Sequence, residues 1–325
     1  MKSMELSRLR VADSVLDLIG ETPMVRLRNI VPAAAADIFA KLEYLNPGGS
    51  IKDRAALGIV KRAEAEGKLK AGSTIVEATA GNTGIGLALV GVNRGYNVII
   101  CMPAKFSKEK RFLTRALGAH VITTPDEEGM EGAIRRAKQI TAETPNAFMA
   151  GQFENRANPD FHQETTGREI WEQLEGRIDA VAIGAGTSGT FTGVARYLKK
   201  QNPRVWCVTV ETQGSVYGGG ASGDHRVEGI GSSFIPTIYD QSVCDEVIAV
   251  GDEDAFATVN QLARKEGVLA GSSAGANVFA SIQVARRLGP GKRVVTIIPD
   301  SAERYMSKDI FGFEGKQGQP KPHRE

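Results

Sequence analysis

The sequence predicts an α/β protein made of two units of mostly parallel sheet covered by helices. Three observations predict it. Short apolar runs alternate with amphipathic segments almost throughout, the 37 glycines gather in short clusters, and 325 residues with 42% hydrophobic content can bury a large core. In order, "STIVEA" (73–78) reads as a strand, a helix then runs to Arg94, and "YNVIICMP" (96–103) reads as the next strand. A helix near 108–117, "HVITT" (120–124), a helix near 130–143 and "AFMA" (147–150) continue the alternation. Further on, "DAVAIGA" (179–185), a helix at 191–200, "RVWCVTVE" (204–211), "DEVIAV" (245–250) and "RVVTIIPD" (293–300) repeat it. Alternation of this kind means parallel strands with helices on both faces. The expected division is a smaller, mobile substrate unit over 43–153 and a larger unit of 1–42 plus 154–325. Ligands are expected at the carboxyl ends of the strands and between the units. The polar stretch "EGKQGQPKPHRE" at the end reads as a disordered tail.

Composition narrows the partners. A net charge of +2 supplies no basic footprint for nucleic acid and no acidic tail, so small molecules are expected. Cys101, Cys207 and Cys244 form no C-x-x-C pair and read as buried, reduced thiols. Glu5, Arg8, Arg10 and Asp13 precede any long apolar run, unlike a signal peptide, and no window approaches 18 uninterrupted apolar residues. A cytoplasmic protein without membrane partners is the expectation. His120, His162, His225 and His323 lack metal-ligand spacing, so no metal is expected.

The chemistry is concentrated in three loops and one lysine. In "NPGGSIKDRAALGIV" (46–60), Ser50 and Asp53 have the spacing of a helix N-cap with its reciprocal acid, followed by apolar Ile51, Ala55, Ile59, Val60 and Ala63. Lys52 therefore falls in the first helical turn. There the helix dipole and free N–H groups disfavour an ammonium and tolerate a neutral amine or imine. After the 73–78 strand, "ATAGNTGIGLALV" is a small-residue turn feeding a helix, a seat for a carboxylate or phosphate. "GAGTSGTFTG" satisfies G-x-G-x-x-G through Gly184, Gly186 and Gly189, with Glu211 closing the next strand as a dinucleotide site requires. The hydroxyls of Thr187, Ser188 and Thr190 suit a terminal phosphate at least as well. In "IIPDSAERYMS", Ser301 sits at the ligand-binding edge, where it can meet a bound ring or merely cap a helix.

Taken together, "GETPMVRL", "NPGGSIKDR", "TAGNTGIGLAL", "GAGTSGTFTG", "EGIGSSFIP" and "PDSAERYMS" resemble the pyridoxal-phosphate enzymes of the cysteine synthase and cystathionine β-synthase family, in the family's order and from about Asp13 to Ile310. The resemblance implies a tryptophan synthase β-like fold and pyridoxal 5'-phosphate held covalently on Lys52. It implies Asn82 at the ring hydroxyl oxygen, Gly186, Thr187, Ser188, Gly189 and Thr190 around the phosphate, and Ser301 at the ring nitrogen. Thr79, Ala80, Gly81, Asn82, Thr83 and Gln152 would hold the substrate carboxylate. The implied reaction is β-replacement on O-acetyl-L-serine with sulfide, giving L-cysteine and acetate, with Lys52 as base. Cystathionine formation from serine or O-acetylserine with homocysteine is the alternative, and an NAD-dependent oxidoreductase the rival outside the class. A homodimer, and serine acetyltransferase as a possible partner, follow from the same likeness. Ala80, Ser188 and Ala302 depart from residues common in the family (Ser, Gly and Gly), which leaves substrate preference open. The S-F-K-x-R-G and tetraglycine motifs of serine and threonine dehydratases are absent, and the length suggests a stand-alone catalytic core without haem-binding or regulatory additions.

Overall fold

The computed structural model describes residues 11–312, so the polar end of the chain and the first ten residues lie outside the described part. Among the described residues the strands form two sheets. The six-stranded sheet contains β1 (Met24–Leu27), β2 (Asp37–Leu42), β7 (Ala180–Gly184), β8 (Trp206–Thr212), β9 (Glu246–Val250) and β10 (Arg293–Ile298), in the order β1-β2-β10-β7-β8-β9. The four-stranded sheet contains β3 (Thr74–Ala78), β4 (Asn97–Pro103), β5 (His120–Thr124) and β6 (Ala147–Met149), in the order β5-β4-β3-β6. Every pairing is parallel except that of β1 with β2. All eight strands expected from the apolar runs are present within a residue or two of their expected ends. The antiparallel pair β1–β2 is the part that the alternation did not predict.

Each sheet has its own core. The side chains of α1 (Lys52–Ala65) and α2 (Asn82–Arg94) pack with β3, β4 and β5 in one cluster that includes Ile59, Val60, Ile75, Leu87 and Ile100. On the opposite face α4 (Gly129–Glu143) supplies Ala133, Ala137 and Ile140 against Val76 and Cys101. In the six-stranded sheet, α9 (Ser272–Leu288) covers one face through Ala276, Val278, Ala280 and Val284. On the other, α6 (Arg168–Gln173) and α7 (Gly189–Gln201) bring Ile170, Phe191, Val194 and Leu198 against Val181, Ile183 and Ile297. Helices α3 (Lys108–Ala116), α5 (Ala157–His162) and α8 (Asp252–Gln261) complete the set. Burial on both faces explains why the parallel strands read as nearly continuous apolar runs.

The start of α1 differs in detail from its sequence reading. Helical geometry begins at Lys52, with Ile51 as N-cap, and the Ser50 hydroxyl accepts from the Lys52 N–H at 3.3 Å. Asp53 does not return to the Ser50 N–H; its carboxylate accepts from Gly48 N at 2.6 Å and so ties down the preceding turn. The Ile51 N–H donates to the Pro299 carbonyl at 2.9 Å, which fixes Lys52 beside the carboxyl end of β10.

Candidate active site

The loops after β3, β6, β7, β8 and β10 converge on one cavity of about 1160 Å³ at the carboxyl edges of both sheets. Its walls include Lys52, residues 79–83, Gln152, Gly186, Thr187, Ser272, Ser273 and Asp300. The arrangement follows from parallel topology, which leaves all βα turns of a sheet at one edge.

Lys52 is half-buried and lines the cavity. Desolvation, opposed by the Asp300 carboxylate and reinforced by the charge of Lys110, brings its amine down to about 8. Roughly a fifth is therefore neutral near pH 7.4, against about a thousandth at the ordinary value, and a neutral amine is the form that attacks a carbonyl or removes a proton. The rest of the α1 start is rigidly held. Two residues on, the Arg54 guanidinium donates to Glu43 at 2.7 and 2.9 Å and to both oxygens of Glu169 at 2.7 Å, entirely inside the protein.

The turn after β3 depends on Gly81. Its φ of 144° is a conformation that L side chains rarely adopt, and an added Cβ would stand 2.4 Å from the Lys110 side chain. Thr79 Oγ1 accepts from the Gly81 N–H at 3.0 Å, and Asn82 and Thr83 open α2 with their first-turn N–H groups at the cavity. Thr83 Oγ1 donates to Gln152 Oε1 at 2.6 Å, while Gln152 Nε2 donates to the Ala78 carbonyl at 2.9 Å. Beneath them Glu77, its carboxyl pushed up to about 8 by burial, accepts from Gln152 N at 3.0 Å. Thr79, Ala80, Gly81, Asn82, Thr83 and Gln152 are thus brought together, as a carboxylate seat requires. Asn82 is clamped from two sides: Nδ2 donates to Asp300 Oδ2 at 2.6 Å, and Oδ1 accepts from the Arg304 guanidinium at 2.9 Å.

Gly186 and Thr187 line the other end of the cavity, and Ser188, Gly189 and Thr190 follow them in the same loop behind its wall. An added Cβ at Gly186 would stand 2.5 Å from the Gly229 backbone carbonyl, so this position requires glycine, and one at Gly189 would displace the Asn158 amide, 2.2 Å away. Ser188 is in the left-handed region, φ 67°, immediately before α7, and its buried hydroxyl has no hydrogen-bond partner; the neighbouring Tyr217 hydroxyl is committed to the Gly186 carbonyl at 2.8 Å. An orphaned buried hydroxyl at a helix N-terminus, in a cradle lacking Cβ atoms, fits a phosphate. The dinucleotide rival fares worse. Glu211, the acid that it needs for a ribose, accepts from the backbone N–H of Tyr217 at 2.9 Å and of Gly218 at 3.2 Å.

Ser301 is placed elsewhere. It is not among the residues that line the cavity, and its hydroxyl donates to the exposed Glu303 carboxylate at 3.4 Å. Nor does its side chain cap the short 3-10 segment Ala302–Lys308. The reason lies in the alternation at the end of β10: adjacent side chains point to opposite sides, and Asp300 takes the inward one. Asp300 accepts from Asn82 and, at 2.6 Å, from Tyr305, with its second oxygen buried and unpartnered. Ser272 and Ser273, opening α9 in "AGSSAGAN", supply hydroxyls on the cavity wall. The sequence reading passed over this small-residue turn, although it has the same glycine-and-hydroxyl signature as the turns after β3 and β7. It also passed over the buried Lys110–Glu228 pair at 2.9 Å, which joins α3 to the 228–231 loop across the cavity.

A half-buried amine that faces a small-residue helix start on one side and a glycine-and-hydroxyl loop on the other is the arrangement that an aldehyde cofactor held on lysine requires. The family follows from comparison: the model described as "Pyridoxal-phosphate dependent enzyme" matches residues 15–300, and the chain belongs to that family. It is 47% identical over 304 residues to a cysteine synthase of Staphylococcus aureus, covering 93% of this chain and 98% of the relative. An O-acetylserine dependent cystathionine beta-synthase of Bacillus subtilis is 46% identical over 303 residues, covering 93% and 99%. Among solved structures, the O-acetylserine dependent cystathionine beta-synthase of Helicobacter pylori superimposes with a TM-score of 0.90 at 41% identity, covering 93% of this chain and 100% of the other. The cysteine synthase of Entamoeba histolytica gives 0.90 at 37%, covering 98% and 96%. The chain is a pyridoxal-phosphate-dependent enzyme of the cysteine synthase and cystathionine β-synthase type.

Proposed function

We propose that this enzyme exchanges the acetoxy group of O-acetyl-L-serine for sulfide, forming L-cysteine and acetate. The observation that carries the reading is the low-pKa Lys52 amine on a cavity with a carboxylate seat on one side and a phosphate cradle on the other. The near-full-length likeness to cysteine synthases supports it. Lys52 and the 186–190 loop, which reaches the cavity through Gly186 and Thr187, would hold the cofactor, with Ser272 and Ser273 on the cavity wall available to its ring. When bound, the cofactor supplies an electron-withdrawing ring conjugated to the substrate's α-carbon. The N-terminus of α2 and Gln152 hold the carboxylate, Asn82 stays oriented by Asp300 and Arg304, and Lys52 Nζ takes the α-proton and later returns it.

The second reading, cystathionine formation with homocysteine, is favoured by the likeness to the two O-acetylserine dependent cystathionine beta-synthases. Feeding the enzyme O-acetyl-L-serine with sulfide, and separately with homocysteine, and quantifying cysteine, cystathionine and acetate decides between them. The first reading fails if only the homocysteine reaction turns over. The 43–153 unit is proposed to move as a substrate-closing body. A homodimer in the cytoplasm, with serine acetyltransferase as a possible partner, completes the reading. No described helix is long and apolar enough to cross a membrane.

A further inference from the structure

His162 is used by none of the chemistry above, yet its ring lies within the protein between the phosphate loop and the core. It ends α5, with Nδ1 2.9 Å from Thr166 Oγ1 and Nε2 3.2 Å from Thr190 Oγ1. The approach of α5 to α7 depends on Gly193, where a Cβ would stand 2.3 Å from the Pro159 carbonyl and 2.7 Å from His162 Cβ. Burial, aided by the nearby charges of Arg54 and Lys52, pushes the imidazole down to about 3, so the ring is neutral and carries a single N–H.

A neutral ring permits two patterns. With the proton on Nδ1, His162 donates to Thr166 and the Thr190 hydroxyl must donate to Nε2, which turns its proton away from the loop. With the proton on Nε2, the ring donates to Thr190 Oγ1, Thr166 donates to Nδ1, and the Thr190 proton is released toward a ligand. A phosphate dianion only accepts. The neighbouring Thr187 is already arranged in the second way: its Oγ1 accepts from Asn158 Nδ2 at 3.3 Å and from Gly189 N at 3.4 Å, which leaves its own proton to be given.

We propose that His162 is a positioning residue whose Nε2–H donates to Thr190, so that the Thr190 hydroxyl proton is directed at the cofactor phosphate. The inference rests on the reading of residues 186–190 as the phosphate seat. It assigns the buried His162–Thr166 pair a role in cofactor retention.

Two measurements on the full-length protein test it. In protein labelled with 15N-histidine and loaded with pyridoxal phosphate, two-bond 15N–1H correlation reports which ring nitrogen carries the proton, and His162→Gln identifies the signal by its loss. The expected result is Nε2–H; an Nδ1–H ring or an imidazolium overturns the proposal. Separately, cofactor-stripped protein is titrated with pyridoxal phosphate by absorbance. His162→Phe should weaken binding by roughly tenfold to a hundredfold, the range for a hydrogen bond to a charged group. Gln, which keeps a donor near the Nε2 position, should restore most of it, whereas Asn should not. Adding His162→Phe to Thr190→Val should cost nothing beyond Thr190→Val alone. Unchanged affinity in His162→Phe overturns the positioning role. Unchanged affinity in a Thr187→Val, Thr190→Val double variant instead removes the phosphate reading of the loop, and this inference with it.

Discussion

Replacing Ser188 by alanine should make the cofactor-free protein more stable and the loaded protein weaker in its hold on the cofactor. The Ser188 hydroxyl is buried without a partner at the N-terminus of α7, and leaving a buried polar group unpaired costs about 1–3 kcal/mol. Alanine keeps the same left-handed backbone at φ 67°, so the strain cancels in the comparison and only the hydroxyl changes. Stripped Ser188→Ala protein should therefore unfold at higher urea concentration, by about 1 kcal/mol or more. With the phosphate bound, the hydroxyl contributes a hydrogen bond to a charged group, about 1.5–3 kcal/mol, so affinity for pyridoxal phosphate should fall by roughly tenfold to a hundredfold. Ser188→Gly separates hydroxyl from strain. It also relieves a left-handed L-residue, about 1–2 kcal/mol, against about 1 kcal/mol of added unfolded-chain entropy. Urea unfolding of stripped protein and absorbance titration with the cofactor measure both sides. A Ser188→Ala protein no more stable when stripped, with cofactor affinity unchanged, would refute the reasoning.

Lys52→Met should stabilise the stripped protein below pH 8. The folded-state value of about 8 lies under the ordinary 10.5, so between these pH values the unfolded chain holds more protons and wild-type stability rises with pH. The methionine variant lacks that slope, and its advantage of up to about 3 kcal/mol, reduced by water in the cavity, should fade from pH 8 to 10.5; parallel urea curves against pH check it. Thr83→Val removes the 2.6 Å bond to Gln152 and should raise KM for O-acetylserine about tenfold while the cofactor spectrum stays unchanged, as steady-state kinetics would report. Ser301→Ala should leave cofactor affinity within about twofold, because its hydroxyl meets only an exposed carboxylate, whereas Ser272→Ala should weaken it; the same absorbance titration compares them.

The parallel strands were legible because burial on both faces makes them uniform apolar runs. Strands β1 and β2 were not, since Arg26 and Lys41 interrupt their apolar pattern. Lys41 is nonetheless buried, its amine 2.8 Å from Glu169 in the network around Arg54. Spacing placed Lys52 correctly in the first turn of α1. It could not tell whether Asp53 would close on Ser50 or reach Gly48, because both lie within range of one carboxylate. The position of Ser301 off the cavity wall has a similar origin. "PDS" offers two polar side chains in succession at a strand end, and only the phase of the alternation decides that Asp300 faces inward. Ser272 and Ser273 carried a readable signal, a hydroxyl pair between glycines at a helix start. The Lys110–Glu228 pair carried none, since its partners are 118 residues apart and meet only through the fold.

Lys52 is proposed to hold the cofactor within this cavity. Reducing the loaded enzyme with borohydride and mapping its peptides tests it most directly, because reduction fixes the pyridoxyl group to whichever lysine carries it. The label is expected on Lys52 alone, with loss of the yellow chromophore and of cysteine synthesis from O-acetylserine and sulfide. Label on Lys110 or another lysine, or an enzyme that keeps its activity after complete reduction, would contradict it.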